Sequence, residues 1–236
     1  MNTYYQASLQ EGDNWLAPEE ALHCARSHRS RIGDEVELVD GNGHRGTGKI
    51  KSITKTDVVV SVSAVVEEAL QPCERTWICV APTKQMERTE WFLEKAVEVG
   101  VGRVSFFYSQ YSERRALRLD RLQRIVIEAC KQCRASRFPR LDAPVDYLTL
   151  LEEESFAYSL AFAHYTTQPL RSLREFALES AHAVKLIVGP EGGFTDAEYA
   201  AALHEGYEGV AIGERRLRTE TAALVGSIVI GEHCNC

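Results

Sequence analysis

Long apolar runs are missing from this chain. No stretch approaches the ~18 consecutive apolar residues that a helix needs to cross a bilayer, so no membrane partner is expected. The first twenty residues, MNTYYQASLQEGDNWLAPEE, lack the basic start and apolar centre of a secretion signal, and a cytoplasmic location is the expectation. A complete set of cysteine pairs is also missing. The seven cysteines are an odd number, scattered over a chain too large to need disulfide staples, which suits a reducing compartment. Cys130 and Cys133 have the spacing of half a zinc site, but their nearest complement, Cys234 and Cys236, has the wrong spacing and sits at the terminus. No metal is expected, and the first pair reads as helical cysteines of an amphipathic run. A surplus of positive charge is missing too, the net charge being −7, which argues against a nucleic-acid partner until the charge is divided by region.

So divided, residues 1–72 carry 7 basic and 11 acidic side chains, residues 73–140 carry 14 and 8, and residues 141–236 carry 6 and 15. The positive charge is concentrated mid-chain, with Arg114, Arg115, Arg118, Arg121, Arg124, Lys131, Arg134, Arg137 and Arg140 close together. Such a block is either a solvated helix face or the footprint of an anionic partner. The hydrophobic pattern divides the chain at nearly the same place. The first seventy residues alternate as strands do (EVELVDG, RGTGKIKSIT, DVVVSVSAVVEEA), with Asp40-Gly41-Asn42-Gly43 as a hairpin turn and a short helix opening at Pro18. After Cys73, strands and helices alternate: TWICVAPT, a helix over 87–99, VSFFYS, a helix over 118–132, FAYSLAFA, VKLIVG, a helix over 196–205, GVAIG and a helix over 219–230. This is the α/β pattern of a mostly parallel sheet covered by helices, and it predicts domains at 1–72 and 73–236.

Two phosphate-loop patterns are present and are rejected. Gly41-x-Gly43-x-x-Gly46 matches a dinucleotide fingerprint and Gly43-x-x-x-x-Gly48-Lys49 nearly matches a P-loop, but both need a helix next, and KIKSITKTDVVVSV is a hairpin instead. The stretch LIVGPEGGFTDAE is different. An apolar strand runs into Gly189-Pro190-Glu191-Gly192-Gly193, and Thr195-x-x-Glu198 then forms a capping box that starts a helix. Three glycines and a proline exceed what a turn needs, and ligands of α/β sheets bind at the carboxyl ends of strands, so this reads as a ligand loop whose glycines let the main chain approach the ligand. The segment Ile212–Ala222, IGERRLRTETA, repeats the design: a short strand ends at Gly213 and polar residues precede a helix that Thr219 can cap.

Together these loops carry a resemblance. GPEGGF and GERRLRTETAA, with PTKQMERTEWFLEKAVEVGV, EACKQCRASRFP and LHCARSHRSRIGDEVELVDGNG, make the chain similar, over essentially its whole length, to the RsmE-type 16S ribosomal RNA uridine N3-methyltransferases of the SPOUT class. The resemblance implies an α/β trefoil-knot methyltransferase domain preceded by a small PUA-like β-barrel domain that binds RNA, and a homodimer. It also implies S-adenosylmethionine as cofactor, held among three loops: the end of Leu160–His164 (Leu160, Phe162), Gly189–Gly193 with Pro190, Glu191 and Gly192, and Ile212, Gly213 and Leu217 with Thr221. The substrate it implies is uridine 1498 of 16S rRNA in the small ribosomal subunit. Arg218 would stabilise the uracil anion, with Glu191 or Glu220 as proton acceptor and no metal required; helix capping or dimer salt bridges are the competing roles of the glutamates. RNA contacts are expected at Arg26, Arg29, Arg31, Lys84 and Arg88, and at Arg134 and Arg137, which a loop after the long helix would let reach outward. The sequence departs from the family at MNTYYQA, where an arginine is common, and at Ser27-His28-Arg29-Ser30. Two alternatives stay open: a non-catalytic RNA-binding or ribosome-assembly protein, and a related knotted enzyme acting on transfer RNA or on a 2′-hydroxyl.

Overall fold

The computed structural model describes residues 1–27, 29–54, 56–153, 159–163, 170–179 and 183–233. His28, His164, Cys234 and Cys236 lie outside them. The chain divides into two compact units, residues 1–70 with 127–138, and residues 71–126 with 139–236.

The first unit holds strands β1 (Asn2–Tyr5), β2 (Gly12–Trp15), β3 (Glu35–Val39), β4 (His44–Ile53) and β5 (Val58–Glu67), and helix α1 (Pro18–Leu22). They form a five-stranded sheet in the order β1-β3-β4-β5-β2. Alternation decides which face is buried. Val58, Val60 and Val62 point into a core with Tyr4, Leu16, Val36, Leu38 and Ile50, while Ser61 and Ser63 face out. The β3–β4 hairpin turns where expected, with φ +80° at Gly41 and +102° at Gly43, and the Asp40 carboxylate accepts from the backbone N–H groups of Asn42 and His44. The formal phosphate-loop glycines thus lie in this turn and in β4, with no helix after them.

The second unit contains β6 (Thr76–Val80), α2 (Met86–Glu98), β7 (Arg103–Tyr108), α3 (Leu119–Cys133), β8 (Arg140–Asp146), α4 (Tyr147–Glu152), β9 (Ser159–Ala163), β10 (Arg171–Ser172), α5 (Leu173–Glu179), β11 (Val184–Val188), α6 (Asp196–His204), β12 (Glu208–Ala211) and α7 (Thr219–His233); α3 belongs to this unit as far as Val126. Its seven strands, ordered β10-β12-β9-β11-β6-β7-β8, pair in parallel throughout. The central strands β6 and β11 are buried at every position, which is why TWICV and VKLIV read as continuous apolar runs. Even Lys185 of β11 is fully buried, its Nζ donating to the Leu150 carbonyl and lying 4.1 Å from the Trp77 ring, and burial lowers its pKa.

The sequence pattern overlooks β1, β2, β8, α4, β10 and α5. Most are short, and β8 (RLDAPVD) carries Pro144, which an edge strand tolerates because its outer N–H groups have no ladder partner. The mid-chain basic segment also differs from expectation. Residues 127–138 belong with the first unit: α3 ends with Arg134 at φ +58° and the Ala135 N–H donating to the Cys130 carbonyl, and the chain then lies on the β3–β4 turn. Lys131 is buried there, its Nζ 2.7 Å from Glu20 and from Glu128.

Candidate functional site

Three parallel neighbours, β12, β9 and β11, end side by side, and the loops leaving β11 and β12, with the last residue of β9, build the site. After β11 the chain turns over Pro190–Gly193, closed by the Gly193 N–H donating to the Pro190 carbonyl at 2.9 Å, with Gly193 at φ +77°. Thr195 then caps α6: its hydroxyl accepts from the Glu198 N–H while the Glu198 carboxylate accepts from the Thr195 N–H. The glycines serve different purposes. A Cβ on Gly189 would meet the Phe194 ring at 2.9 Å and one on Gly192 would meet Tyr111 at 2.8 Å, whereas Gly193 and Gly213 face open space. The room left by Gly189 and Gly192 is therefore filled by the protein's own aromatic rings, a correction to the reading that reserves it for a ligand.

The second loop is stitched onto the first. Arg216 Nη2 donates to the Glu191 carbonyl at 2.9 Å, and the Thr219 hydroxyl donates to the Gly189 carbonyl at 3.0 Å. Thr219 is thus the first helical residue of α7 and a tie between loops, where the sequence suggested a cap. A third segment joins through Glu191, whose Oε1 accepts from the Lys84 N–H at 3.0 Å, and Arg114 donates twice to the Lys84 carbonyl. Lys84 itself is exposed, and its pairing with Glu113 at 2.7 Å raises its pKa.

These loops enclose a cavity of about 640 Å³, within the size range of small-molecule sites. Of the residues expected to hold a cofactor, Gly189, Pro190, Glu191, Gly192, Gly193, Ile212, Gly213 and Leu217 line it. Leu160, Phe162 and Thr221 do not. Phe162 is fully buried in the core against Phe194 and Tyr199, with Leu160 packed on the same cluster, and it is Ala163 of β9 that reaches the cavity. Period-two alternation separates Phe162 from Ala163, but nothing in the sequence says which face meets the cavity. Val188, Phe194, Arg215, Arg216, Thr219 and Ala222 line it as well; most of them lie inside the two motifs GPEGGF and GERRLRTETAA, the one signal that could have found them.

The charge at the cavity is opposite to that of the chain. Arg88, Arg215, Arg216 and Arg218 line it against the single carboxylate of Glu191, an arrangement that attracts anions. Arg218 is exposed and its guanidinium has no partner among the described residues. Glu220 is not in the lining: its side chain is buried, with Oε1 3.8 Å from Arg88 Nε. In the first unit Arg26, Arg29 and Arg31 are exposed and without side-chain partners among the described residues. Arg134 and Arg137 are engaged instead. Arg134 donates to the Met1 carbonyl, and Arg137 donates to the carbonyls of Asn42 (2.6 Å) and Glu68 (3.3 Å) while covering Gly43. The expectation of two side chains reaching outward from a loop is corrected, because backbone carbonyls of the hairpin compete for those guanidiniums. Among the described residues no cluster of His, Cys, Asp or Glu could hold a metal ion, and no helix is long and apolar enough to cross a membrane.

Residues 64–230 match the family model for an RNA methyltransferase domain and residues 16–63 that for an RNA methyltransferase PUA domain. The ribosomal RNA small subunit methyltransferase E of Synechocystis sp. is 33% identical over 217 residues, 89% of this chain and 70% of that protein. Among solved structures, a probable rRNA-methyltransferase from Porphyromonas gingivalis superposes with a TM-score of 0.89 at 32% identity, covering 99% of this chain and 98% of that one. A putative methyltransferase from Legionella pneumophila, solved in complex with the bound cofactor SAM, gives 0.86 at 27% identity over 98% of this chain and 96% of that one.

Proposed function

Because the chain belongs to the RNA methyltransferase family, we propose that it uses S-adenosylmethionine to methylate N3 of a uridine, position 1498, in the 16S rRNA of the small ribosomal subunit. The observation that carries this reading is the cavity between the two loops at the ends of β11 and β12, whose lining combines apolar surface with four guanidiniums and one carboxylate. Ala163, Val188, Pro190, Ile212, Leu217 and Ala222 offer apolar surface to an adenosyl group, and the open backbone at Gly193 and Gly213 leaves main-chain groups accessible to it. The cofactor fits such a donor set, and when bound it supplies an electrophilic sulfonium methyl.

The chain's own residues prepare the nucleophile. Uridine N3 carries a proton at neutral pH, so its lone pair is available only once that proton has passed to a base. Glu191 is the acceptor best supported, since it lines the cavity and its carboxylate is oriented by the Lys84 N–H. Arg218, unpartnered among the described residues, would donate to the uracil oxygens over which the negative charge spreads. With the cofactor held by the loops after β11 and β12, Arg218 would keep the base in line with its methyl group, and that alignment would supply much of the acceleration. No metal enters this scheme.

The reading includes residues 1–72 as the PUA-like RNA-binding domain and 73–236 as the methyltransferase domain, with Arg26, Arg29, Arg31, Lys84 and Arg88 as RNA contacts and with Arg134 and Arg137 left to the backbone carbonyls they bind. Arg26, Arg29 and Arg31 have the best support, being exposed and unpaired among the described residues. The trefoil knot belongs to the proposal as well. Its support is the order in which the sheet is laid down: the chain goes from β9 to the edge at β10, crosses to β11 on the far side of β9, and returns to set β12 between β10 and β9. A homodimer is supported by Trp91 on α2 and Ile228 on α7, exposed on two helices that pack together, and the cytoplasm is where the ribosomal substrate lies. Small subunits lacking the mark, incubated with protein and S-adenosylmethionine and digested to nucleosides, should yield N3-methyluridine by mass spectrometry, mapped to position 1498. A methyl group on a 2′-hydroxyl, a preference for transfer RNA, or no transfer at all would overturn the reading.

A further inference from the structure

Glu220 stands in the first turn of α7 with its side chain only 8% exposed, and its Oε2 is buried without a hydrogen-bond partner among the described residues. A buried carboxylate lacking donors is costly and calls for a function. Its ion-pair partner is Arg88 of α2, with Nε 3.8 Å from Oε1, close enough for attraction but too long for a hydrogen bond. Arg88 in turn lines the cavity, half-buried, and no other partner of its guanidinium is found among the described residues. The remaining arginines of the lining differ from it. Arg216 is bound to a backbone carbonyl, and Arg215 and Arg218 are exposed.

We propose that Glu220 is a positioning residue for Arg88, and that Arg88 is an anion-reading residue of the cavity. The carboxylate behind the wall attracts the Nε edge of the guanidinium, and the terminal nitrogens, in their fixed planar fork, are left for an oxyanion inside. A half-buried cation without a counter-charge would turn toward solvent or bind anions indiscriminately; the carboxylate fixes its direction. Glu220 does not line the cavity, so it acts through Arg88 and takes no proton from the substrate. This inference rests on the methyltransferase reading. The oxyanion is either the carboxylate of the amino-acid end of the cofactor or a phosphate of the RNA, and one experiment separates these sources.

Arg88→Gln, Glu220→Gln and the double variant are compared with wild type. The double variant removes both charges together, so the buried carboxylate is not left uncompensated and the fold is retained. Affinities are measured by calorimetry for S-adenosylmethionine and its decarboxylated analogue, and KM and kcat with small subunits at several salt concentrations. If the cofactor carboxylate is the anion, Arg88→Gln weakens S-adenosylmethionine at least tenfold and leaves the decarboxylated analogue unchanged. If the anion is a phosphate, both cofactor affinities hold, KM for the subunit rises, and the salt slope becomes shallower by about 0.7–0.9, one contact. In either case Glu220→Gln shifts the same ligand, and combining it with Arg88→Gln adds little, because the two act as one. Fully additive losses, a fall in kcat for Glu220→Gln with both ligands still bound normally, or no change in either ligand would each overturn the proposal. Wild-type protein that does not bind S-adenosylmethionine would overturn the methyltransferase reading itself, a different failure.

Discussion

Gly193 combines a φ of +77° with open space where a side chain would begin, so substitution there tests the backbone and the cavity together. A β-branched residue held at positive φ costs about 1–2 kcal/mol, and its methyl groups stand where the main chain is otherwise bare. Gly193→Val is therefore expected to weaken S-adenosylmethionine at least tenfold, about 1.4 kcal/mol; calorimetry on a folded variant with unchanged affinity would remove the loop from the site. Arg218 presents the opposite case, a side chain with no structural employment among the described residues. Arg218→Ala should bind cofactor normally and lose single-turnover methylation, and a variant that keeps more than half the wild-type rate would end its assignment to the chemistry.

At the level of elements, the two motif loops are held by few bonds, each separable from the others. Thr195→Ala removes one half of the capping box of α6 and should lower stability by about 1 kcal/mol, read as a lower melting temperature. Thr219→Val instead deletes the only side-chain donor to the Gly189 carbonyl among the described residues, and should loosen the loop enough to lower cofactor affinity several-fold with little change in melting. Equal effects of the two on affinity would argue against this division of labour. The elements also show what a sequence can and cannot reveal. The apolar runs of β6 and β11, the Gly41–Gly43 turn and the Thr195 cap are local, each written in residues that sit together, and all were legible. The fate of Gly189 and Gly192 was not, because the rings that fill their missing side chains include Tyr111, some eighty residues distant. Nor was the use of Arg137, whose acceptors are carbonyls at positions 42 and 68. Pairings across that separation leave no periodicity for a sequence to display.

For the whole molecule, the problem is how a chain with a net charge of −7 handles a polyanion. Its acidic side chains are in large part neutralised locally: Glu68 and Glu37 by Arg45, Asp142 by Arg103 and Arg140, Glu90 by Arg121. What remains for a partner is the set of arginines without such duties. Arg26, Arg29 and Arg31 form one such group in the first unit, exposed and unpaired among the described residues. Phosphate contacts contribute affinity through counterion release, so replacing all three by Gln should reduce the slope of log affinity against log salt by about two to three, at roughly 0.7–0.9 per contact. Methylation of small subunits should fall with it, while S-adenosylmethionine affinity and melting temperature stay at wild-type values. Arg137→Gln is the control with the opposite signature. It deprives the carbonyls of Asn42 and Glu68 of a donor, which should cost about 1–3 kcal/mol of stability. Its weaker RNA binding should therefore track unfolding, and the salt slope of the folded fraction should hold. If the triple variant binds subunits with an unaltered slope, those arginines are a solvated surface and the electrostatic footprint lies with the guanidiniums around the cavity.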